Sequence, residues 1–260
     1  MRPSISVFFP CYNDAGTIAT MVIRAVQTLR EIADDYEVIV INDGSGDDAR
    51  QILDELTRLY PRELRVEHRA QPSGYGGVVR AGIALATKEW FFYTDGDAQY
   101  DVRELKRLAA KISGDVDLIN GWKIKRRDPP HRVVIGSAYQ YFVKFMFGLA
   151  IRDVDCDFRL MRRAIFDVVE LESTTGTITI ELVKKIQDAG YRLVQVPVHH
   201  FYRTYGESQF FNFSRVARTL IALMGWWWRL VVKQEAARAY RGKREKQAAG
   251  RKLQTVGDEL

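Results

Sequence analysis

Hydrophobic and polar positions along the first hundred residues switch repeatedly between two periods. Ile5 to Pro10 is a continuous apolar run, the pattern of a strand covered on both faces. Ile18, Val22, Ala25, Val26, Leu29 and Ile32 follow at the spacing of a helix with one buried face. A second strand over Glu37–Ile41 ends in an Asn-Asp-Gly-Ser turn, and Ile52, Leu56 and Leu59 carry a helix through Asp47–Tyr60. A short strand (Leu64–His68), a helix (Gly76–Ala86) and a fourth strand (Trp90–Thr94) complete the series. Strictly alternating strands and helices predict an α/β fold built on a parallel, doubly wound sheet. Such sheets bind ligands beyond the carboxyl ends of their strands.

The second half is less regular. Its pattern predicts a helix at Val102–Ile112, a strand at Asp117–Trp122 and a polar loop at Lys123–Arg132 holding five Lys or Arg residues. An aromatic helix over Val133–Ile151, a helix over Thr177–Ala189 and a strand over Tyr191–His199 come next. Asn212–Lys233 reads as a helix containing Trp226, Trp227 and Trp228, and Arg238–Lys252 as a frayed helix or disordered tail.

At 260 residues, 47% hydrophobic and 28% charged, the chain fits one domain with a short appendage and can bury a sizeable core. Two distant cysteines, Cys11 and Cys156, give no disulfide framework and suit a reducing compartment. No run of 18 residues is free of charge, and the N-terminus has no signal-peptide pattern. The net charge of +6 is unevenly spread: residues 201–260 carry 12 Lys or Arg against 5 Asp or Glu, and residues 1–200 carry 27 against 28. A nearly neutral body with a basic tail suits an anionic surface, lipid headgroups or nucleic acid. The neutral body and the lack of a recognised binding motif argue against nucleic acid.

Candidate chemistry gathers at the ends of the expected strands. Asp95 and Asp97, one residue apart at the open end of Trp90–Thr94, are placed to share a hard divalent cation that bridges a diphosphate, with Gln99 as a further oxygen ligand. Asp14 follows the first strand and Asp43 ends the second, where carboxylates can accept hydrogen bonds from a base or ribose. Asp47 serves equally as a helix cap. Neither G-x-G-x-x-G nor G-x-x-x-x-G-K occurs, which argues against a Rossmann dinucleotide site and a P-loop. His131, His199 and His200 lack a third ligand cluster, and Cys156 reads as a packing residue.

Val7–Asp14 (VFFPCYND), Val40–Ser45 (VINDGS) and Thr94–Gln99 (TDGDAQ) together resemble glycosyltransferase family 2, inverting enzymes of the GT-A fold. Asp153–Leu160 (DVDCDFRL), Glu181, Val196-Pro197-Val198 and Arg203–Ser208 further resemble its polyprenyl-phosphate hexose synthases, a branch including dolichyl-phosphate mannose synthase and bactoprenol glucosyltransferases. The similarity covers residues 4–210. Cys156-Asp157-Phe158-Arg159 is closer to the Gly-Asp-Phe-Arg of the glucosyl enzymes than to the Ser-Gly-Phe-Arg of mannose synthases, which leaves the sugar open. The resemblance implies a Rossmann-like GT-A domain at 1–210, while the mixture of aromatic and cationic residues predicts an amphipathic interfacial helix at 211–234 and the basic composition a flexible tail at 235–260. It implies nucleotide-diphosphate-sugar binding at Pro10, Tyr12, Asp14, Asp43 and Asp95, and Mg²⁺ or Mn²⁺ at Asp95, Asp97 and Gln99. Asp97, Asp157, Arg159 and Arg203 are the candidate catalytic residues. Lys123, Lys125, Arg126, Arg127, Arg132 and Ser208 are candidates for an acceptor phosphate.

The implied acceptor is a polyprenyl phosphate, so the enzyme is expected as a peripheral protein on the cytoplasmic face of the cell membrane, with room for an anchoring partner or a homo-oligomer. Tyr139, Tyr141, Phe142, Phe145, Met146 and Phe147 on the first aromatic helix, and the tryptophans with Arg215, Arg218, Arg229 and Lys233 on the last, are the expected interfacial residues. A transferase acting on a sugar or glycolipid hydroxyl is the rival expectation, and it requires a true general base such as Asp157.

Overall fold

The computed structural model describes residues 2–124, 130–203, 205 and 213–240, with 130–135 and 213–217 described by backbone alone. The alternation expected from the sequence is present as β1 (Ser4–Cys11), α1 (Ala15–Ile32), β2 (Asp35–Asp43), α2 (Ala49–Leu59), β3 (Leu64–Arg69), α3 (Tyr75–Leu85) and β4 (Trp90–Thr94). A 3₁₀ turn (Val102–Glu104) leads into α4 (Leu105–Ala109), so the helix expected to reach Ile112 is shorter and partly 3₁₀. Then come β5 (Leu118–Lys123), α5 (Pro130–Phe147), β6 (Phe158–Arg162), α6 (Ile178–Asp188), β7 (Leu193–Val198) and α7 (Phe213–Trp227). Pro130 opens α5 rather than closing a loop, at the one helical position where a missing N–H costs nothing.

Seven strands form one mixed sheet in the order β3-β2-β1-β4-β6-β5-β7. β1 to β4 run parallel, and β5 and β7 pair parallel with each other. β6 lies between the two groups and is antiparallel to both β4 and β5. The sequence pattern does not reveal this strand. It has five residues, two of them arginine, and Arg159 occupies a wholly buried position that a period-two pattern reserves for an apolar side chain.

Successive strand residues feed two hydrophobic layers, which is why the strands read as unbroken apolar runs. Val7, Phe9, Val38, Val40 and Phe92 face Ile18, Val22, Leu53 and Leu105 from α1, α2 and α4. Phe8, Ile39, Ile41, Phe91 and Tyr93 face the other way, toward Val79 of α3, Val143 of α5 and Leu182 of α6.

The C-terminal helix belongs to this second layer. Leu223 and Leu230 are buried, and Trp226 and Trp227 pack against the layer, so two of the three tryptophans expected at an interface turn inward. After α7 the chain makes a π-helical turn, Trp228–Val232, in which the Lys233 N–H donates to the Trp228 carbonyl at 2.8 Å. Residues 235–240 are helical with Ala236 and Tyr240 buried, which corrects the expectation of a flexible tail from 235 onward. The remaining tail, 241–260, lies outside the described residues. Outward-facing apolar side chains remain on both aromatic helices: Tyr141, Phe142 and Phe145 on α5, and Leu220, Ile221, Met224 and Trp228 along α7 and its extension. Among the described residues, no helix is long and apolar enough to cross a membrane.

Candidate active site at the ends of beta strands 1, 2 and 4

The strand order reverses direction between β1 and β4, and the crevice at such a switch is where open α/β sheets bind ligands. On the β1 side, the turn after Cys11 interlocks with the turn after β2. The Asn13 N–H donates to Ser45 Oγ (3.0 Å), and Asn13 Oδ1 accepts from the Gly46 N–H (2.8 Å). Asn13 takes a left-handed backbone (φ 56°) to do so. Asp47 accepts from the N–H groups of Ala15 (2.9 Å) and Ala49 (3.1 Å), tying the first turns of α1 and α2 together. Its place is structural, as the capping alternative anticipated.

Asp14 is buried, with one oxygen accepting from the Tyr12 N–H at 3.3 Å, while the Tyr12 ring is exposed. Burial pushes the Asp14 carboxyl up to about 6, and the nearby charges of Asp97 and Asp47 add to the effect. Pro10 is buried, one residue before the end of β1. Asp43 has both oxygens occupied by the Ser73 N–H (3.0 and 2.8 Å), with the Ser73 hydroxyl donating to Oδ1 (2.8 Å). Arg69 stands 3.7 Å away. Asp43 therefore anchors the loop before α3, leaving limited lone-pair capacity for a nucleotide.

The Asp95-Gly96-Asp97 turn lies against the end of β1. A Cβ on Gly96 would come within 2.9 Å of the Pro10 carbonyl, so only glycine permits this approach. Thr17 Oγ1 donates to the Gly96 carbonyl at 2.7 Å, and Ala98 adopts a left-handed backbone (φ 58°), the kind of strain that gathers at functional turns. Asp95 accepts from the Tyr75 hydroxyl at 2.9 Å. Asp97 is almost wholly buried, accepting from the Gln99 N–H (3.0 Å) and pairing with Arg203. Arg203 arrives on the segment after β7, which crosses the site. The Phe201 N–H donates to the Gln99 carbonyl (2.8 Å), and Gln99 Nε2 donates back to the Phe201 carbonyl (3.3 Å). The Gln99 side chain is thus engaged with the crossing segment rather than directed to Asp95 and Asp97, a departure from its expected part as a metal ligand.

Behind the turn is a buried polar row. The Tyr93 hydroxyl donates to Asp157 Oδ1 (3.0 Å) and accepts from Arg159 (3.0 Å). Arg159 also donates to Asn120 Oδ1 (2.9 Å) and the Val154 carbonyl (2.6 Å), and it has no exposed surface. Reading Arg159 as a group that meets the substrate is therefore corrected. It is enclosed, and it bears on the site only through Tyr93 and Asp157. Lys123 is corrected similarly: its Nζ donates to the Asp155 carbonyl (2.8 Å) beside Asp153 (3.8 Å), in a nearly buried turn. Lys125, Arg126, Arg127 and Ser208 lie outside the described residues, and Arg132 is described by backbone alone.

Asp14, Asp95, Asp97 and Asp157 converge electrostatically. Burial holds the Asp95 carboxyl well above the usual carboxylate range, reinforced by the charges of Asp157 and Asp97. Among the described residues, no three His, Cys, Asp or Glu side chains form a complete metal cage. The fit is instead to a hard cation that takes carboxylates from Asp95 and Asp97 and completes its shell with water and phosphate oxygens, as Mg²⁺ does. A cation here would relieve the repulsion that raises Asp95.

The remaining tempting residues have other partners. The His199 ring meets Glu104 at 2.6 Å, and His200 packs edge-on against Tyr100. Burial pushes the thiols of Cys11 and Cys156 up to about 12, so neither is a nucleophile near neutral pH. Sequence reasoning missed Tyr75, Tyr93, Asn120 and Ser73. Tyr93 carried a signal, as a hydroxyl inside the buried strand that leads to Asp95. The others gave none, because tertiary contact alone brings them to the site.

Comparison with known proteins identifies the family and the fold. The family model described as glycosyl transferase family 2 matches residues 6–169. Glycosyltransferase AglD of Haloferax volcanii is 29% identical over 243 residues, covering 90% of this chain and 38% of that protein. The chain thus spans well under half of that curated relative. Among solved structures, glucosyl-3-phosphoglycerate synthase from Mycobacterium tuberculosis in complex with Mn²⁺, uridine diphosphate and phosphoglyceric acid superposes with a TM-score of 0.64 at 16% identity, covering 85% of this chain and 77% of that one. Its complex with Mg²⁺ and uridine diphosphate gives 0.62 at 16% identity, covering 85% and 78%. These likenesses establish the GT-A fold.

Proposed function

The chain belongs to glycosyl transferase family 2, and from that membership we propose that it is a metal-dependent hexosyltransferase moving a sugar from a nucleotide-diphosphate donor to a polyprenyl phosphate. The observation that carries the reading is the meeting of Asp95 and Asp97 with Asp14 across the β1/β4 switch, an anionic crevice fitted to a cation and a diphosphate. Asp95 and Asp97 would hold Mg²⁺ or Mn²⁺, which supplies positive charge to the departing diphosphate. Pro10, the exposed Tyr12 and Asp14 would line the nucleotide side, with Asp43 beneath them holding the Ser73 loop.

In the inverting displacement, an acceptor phosphate oxygen attacks the anomeric carbon as its bond to the donor diphosphate breaks. A phosphate monoester is largely ionised at neutral pH, so no strong base is required. What the chain must provide is cationic positioning. Arg203 can pass from Asp97 to a phosphate, and Arg132 with Lys125, Arg126, Arg127 and Ser208 are the further candidates. The outward aromatic residues of α5 and the outward apolar stripe of α7 that ends in Trp228 suit a protein lying on the membrane surface, where aromatic and cationic side chains mix. We place the catalytic unit at 1–210, with α7 serving both as packing element and as interfacial face.

One observation favours a second acceptor class. Asp157 is positioned by Tyr93 next to Asp95, where a carboxylate could serve as base toward a hydroxyl. Both readings meet one experiment, a screen of radiolabelled uridine- and guanosine-diphosphate sugars with undecaprenyl or dolichyl phosphate and with water-soluble acceptors. Chloroform-extractable label supports the polyprenyl acceptor. Label only on water-soluble product, with an acid-limited pH profile, transfers the assignment to the hydroxyl reading.

A further inference from the structure

α3 begins at Tyr75, directly after Gly74 (φ 81°), and its first turn is pressed against the loop before α6. The Gly76 N–H donates to the Thr174 carbonyl at 3.1 Å. A Cβ on Gly76 would stand 2.4 Å from the Ser173 carbonyl oxygen, and one on Gly74 2.5 Å from that of Thr174. Two glycines thus let backbone meet backbone with no intervening side chain. The loop is itself held from below by Glu181, which is fully buried and accepts from the N–H groups of Glu172 (2.9 Å) and Ser173 (2.8 Å). Lys185 balances its charge at 2.7 Å.

This clamp fixes where the Tyr75 side chain points. Its hydroxyl donates to Asp95 Oδ1 at 2.9 Å, on the carboxylate that would meet the metal. Among the described residues, Tyr75 gives Asp95 its one hydrogen bond, whereas Asp97 is oriented by the Gln99 N–H on its own turn. The plane of the Asp95 carboxylate therefore depends on a residue twenty positions away. Loss of a partner that orients a metal-binding group typically costs about 10–100-fold in metal affinity.

We propose that Tyr75 is a positioning residue for the divalent metal, its hydroxyl orienting Asp95, with the Gly74–Gly76 turn and the Glu181-held loop setting the hydroxyl in place. The inference rests on the metal-dependent reading above and names a determinant of that site. The test is Tyr75→Phe, which keeps the ring and removes one oxygen. Mn²⁺ binding is followed by loss of the free-ion electron paramagnetic resonance signal, with and without uridine diphosphate. Nucleotide affinity is measured in EDTA by calorimetry.

The variant should melt within a few degrees of wild type and bind nucleotide unchanged in EDTA. Its Mn²⁺ dissociation constant should rise about 10-fold or more. The Mn²⁺ concentration for half-maximal transfer should rise in parallel, and kcat at saturating metal should change less than about twofold. A packing role for the phenol would instead move the melting temperature and leave the metal isotherm alone. Equal Mn²⁺ affinity in the two proteins overturns the inference while leaving the metal reading intact. Absence of Mn²⁺ binding by wild type overturns both.

Discussion

On the β1, β2 and β4 side of the sheet, each carboxylate of the site stands where its strand stops: Asp14 just past Cys11, Asp43 as the last residue of β2, Asp95 just past Thr94. On the β5, β6 and β7 side, the cations have left the positions that sequence suggests for them. Arg159 is enclosed by Tyr93, Asn120 and Val154, Lys123 is folded into the Asp153–Asp155 turn, and Arg203 reaches back to Asp97. The difference follows from side-chain length. A short aspartate goes where the backbone puts it, and the strand-end backbone is fixed by the apolar run buried on both faces of the sheet. A lysine or arginine spans several ångströms, so its destination is set by whichever buried acceptor it finds.

The comparison predicts its own largest effect. Asp97→Asn keeps shape but removes the charge that a metal and Arg203 both answer, and transfer should fall by about 10²–10³-fold or more. Thermal melting should fall by no more than a few degrees, because the single amide oxygen can accept from Arg203 or from the Gln99 N–H but not from both. Turnover within a few-fold of wild type at saturating Mn²⁺ would remove Asp97 from the chemistry.

Next in size is a paired contrast between two arginines. Arg159→Met should cost about 3–5 kcal/mol of stability, since it strands Asp157, the Tyr93 hydroxyl and Asn120 in a buried row. Arg203→Met leaves the almost wholly buried Asp97 without its counter-charge, so it too should destabilise, but by less than Arg159→Met because Arg203 is partly exposed, and it should act on catalysis as well. Urea titrations of both variants beside initial rates decide the matter. If Arg203→Met is the more destabilised of the two, the assignment of inward and outward cations is reversed.

Asp14 sharpens the contrast on the carboxylate side, because it carries a cost that only a ligand would justify. Burial raises its pKa from an ordinary 3.8 to about 6. Between those values the folded chain holds a proton that the unfolded chain has released, so stability falls as pH rises through that window and stays lowered above it. Asp14→Asn removes the ionisation and should stabilise the protein at pH 7 by up to about 3 kcal/mol, less whatever its hydrogen bond loses. The gain should vanish near pH 4, where the wild-type side chain is already neutral. Nucleotide affinity should drop in the same variant. Melting curves at both pH values check the first claim, and an Asp14→Asn protein less stable than wild type at pH 7 would make the carboxylate structural.

What was legible divides along the same line. β1 to β4 and the helices between them follow from periodicity, and the Asp-Gly-Asp turn from its place at a strand end. β6 was hidden because a buried arginine breaks its apolar pattern, and its insertion between β4 and β5 is what turns a parallel series into a mixed sheet. Tyr75 was hidden because nothing local distinguishes it from any aromatic residue opening a helix. Asp43 was found for its position but not for its partners, since Ser73 comes from another loop. Local pattern locates groups held by backbone, and only the folded chain reveals which long side chains they meet.

The smallest expected effect on stability separates two neighbours in one helix extension. Trp226 lies between Lys185 Nζ (5.4 Å) and the Arg229 guanidinium (4.8 Å) and packs on the core, so Trp226→Ala should cost about 2–3 kcal/mol. Trp228 is 52% exposed, on the same outward stripe as Leu220, Ile221 and Met224, and Trp228→Ala should change stability by no more than about 0.5 kcal/mol. If that stripe meets lipid, Trp228→Ala should nevertheless weaken sedimentation with phosphatidylglycerol-containing vesicles, and a further Ile221→Ser change should weaken it more. Added salt should remove only part of the wild-type binding, because apolar burial is not screened. The assay uses the full chain, with far-UV circular dichroism confirming that each variant stays folded. Wild type remaining in the supernatant would leave the stripe without a membrane role. Unchanged binding by the double variant would move the contact to Phe142 and Phe145 of α5, the other outward aromatic face.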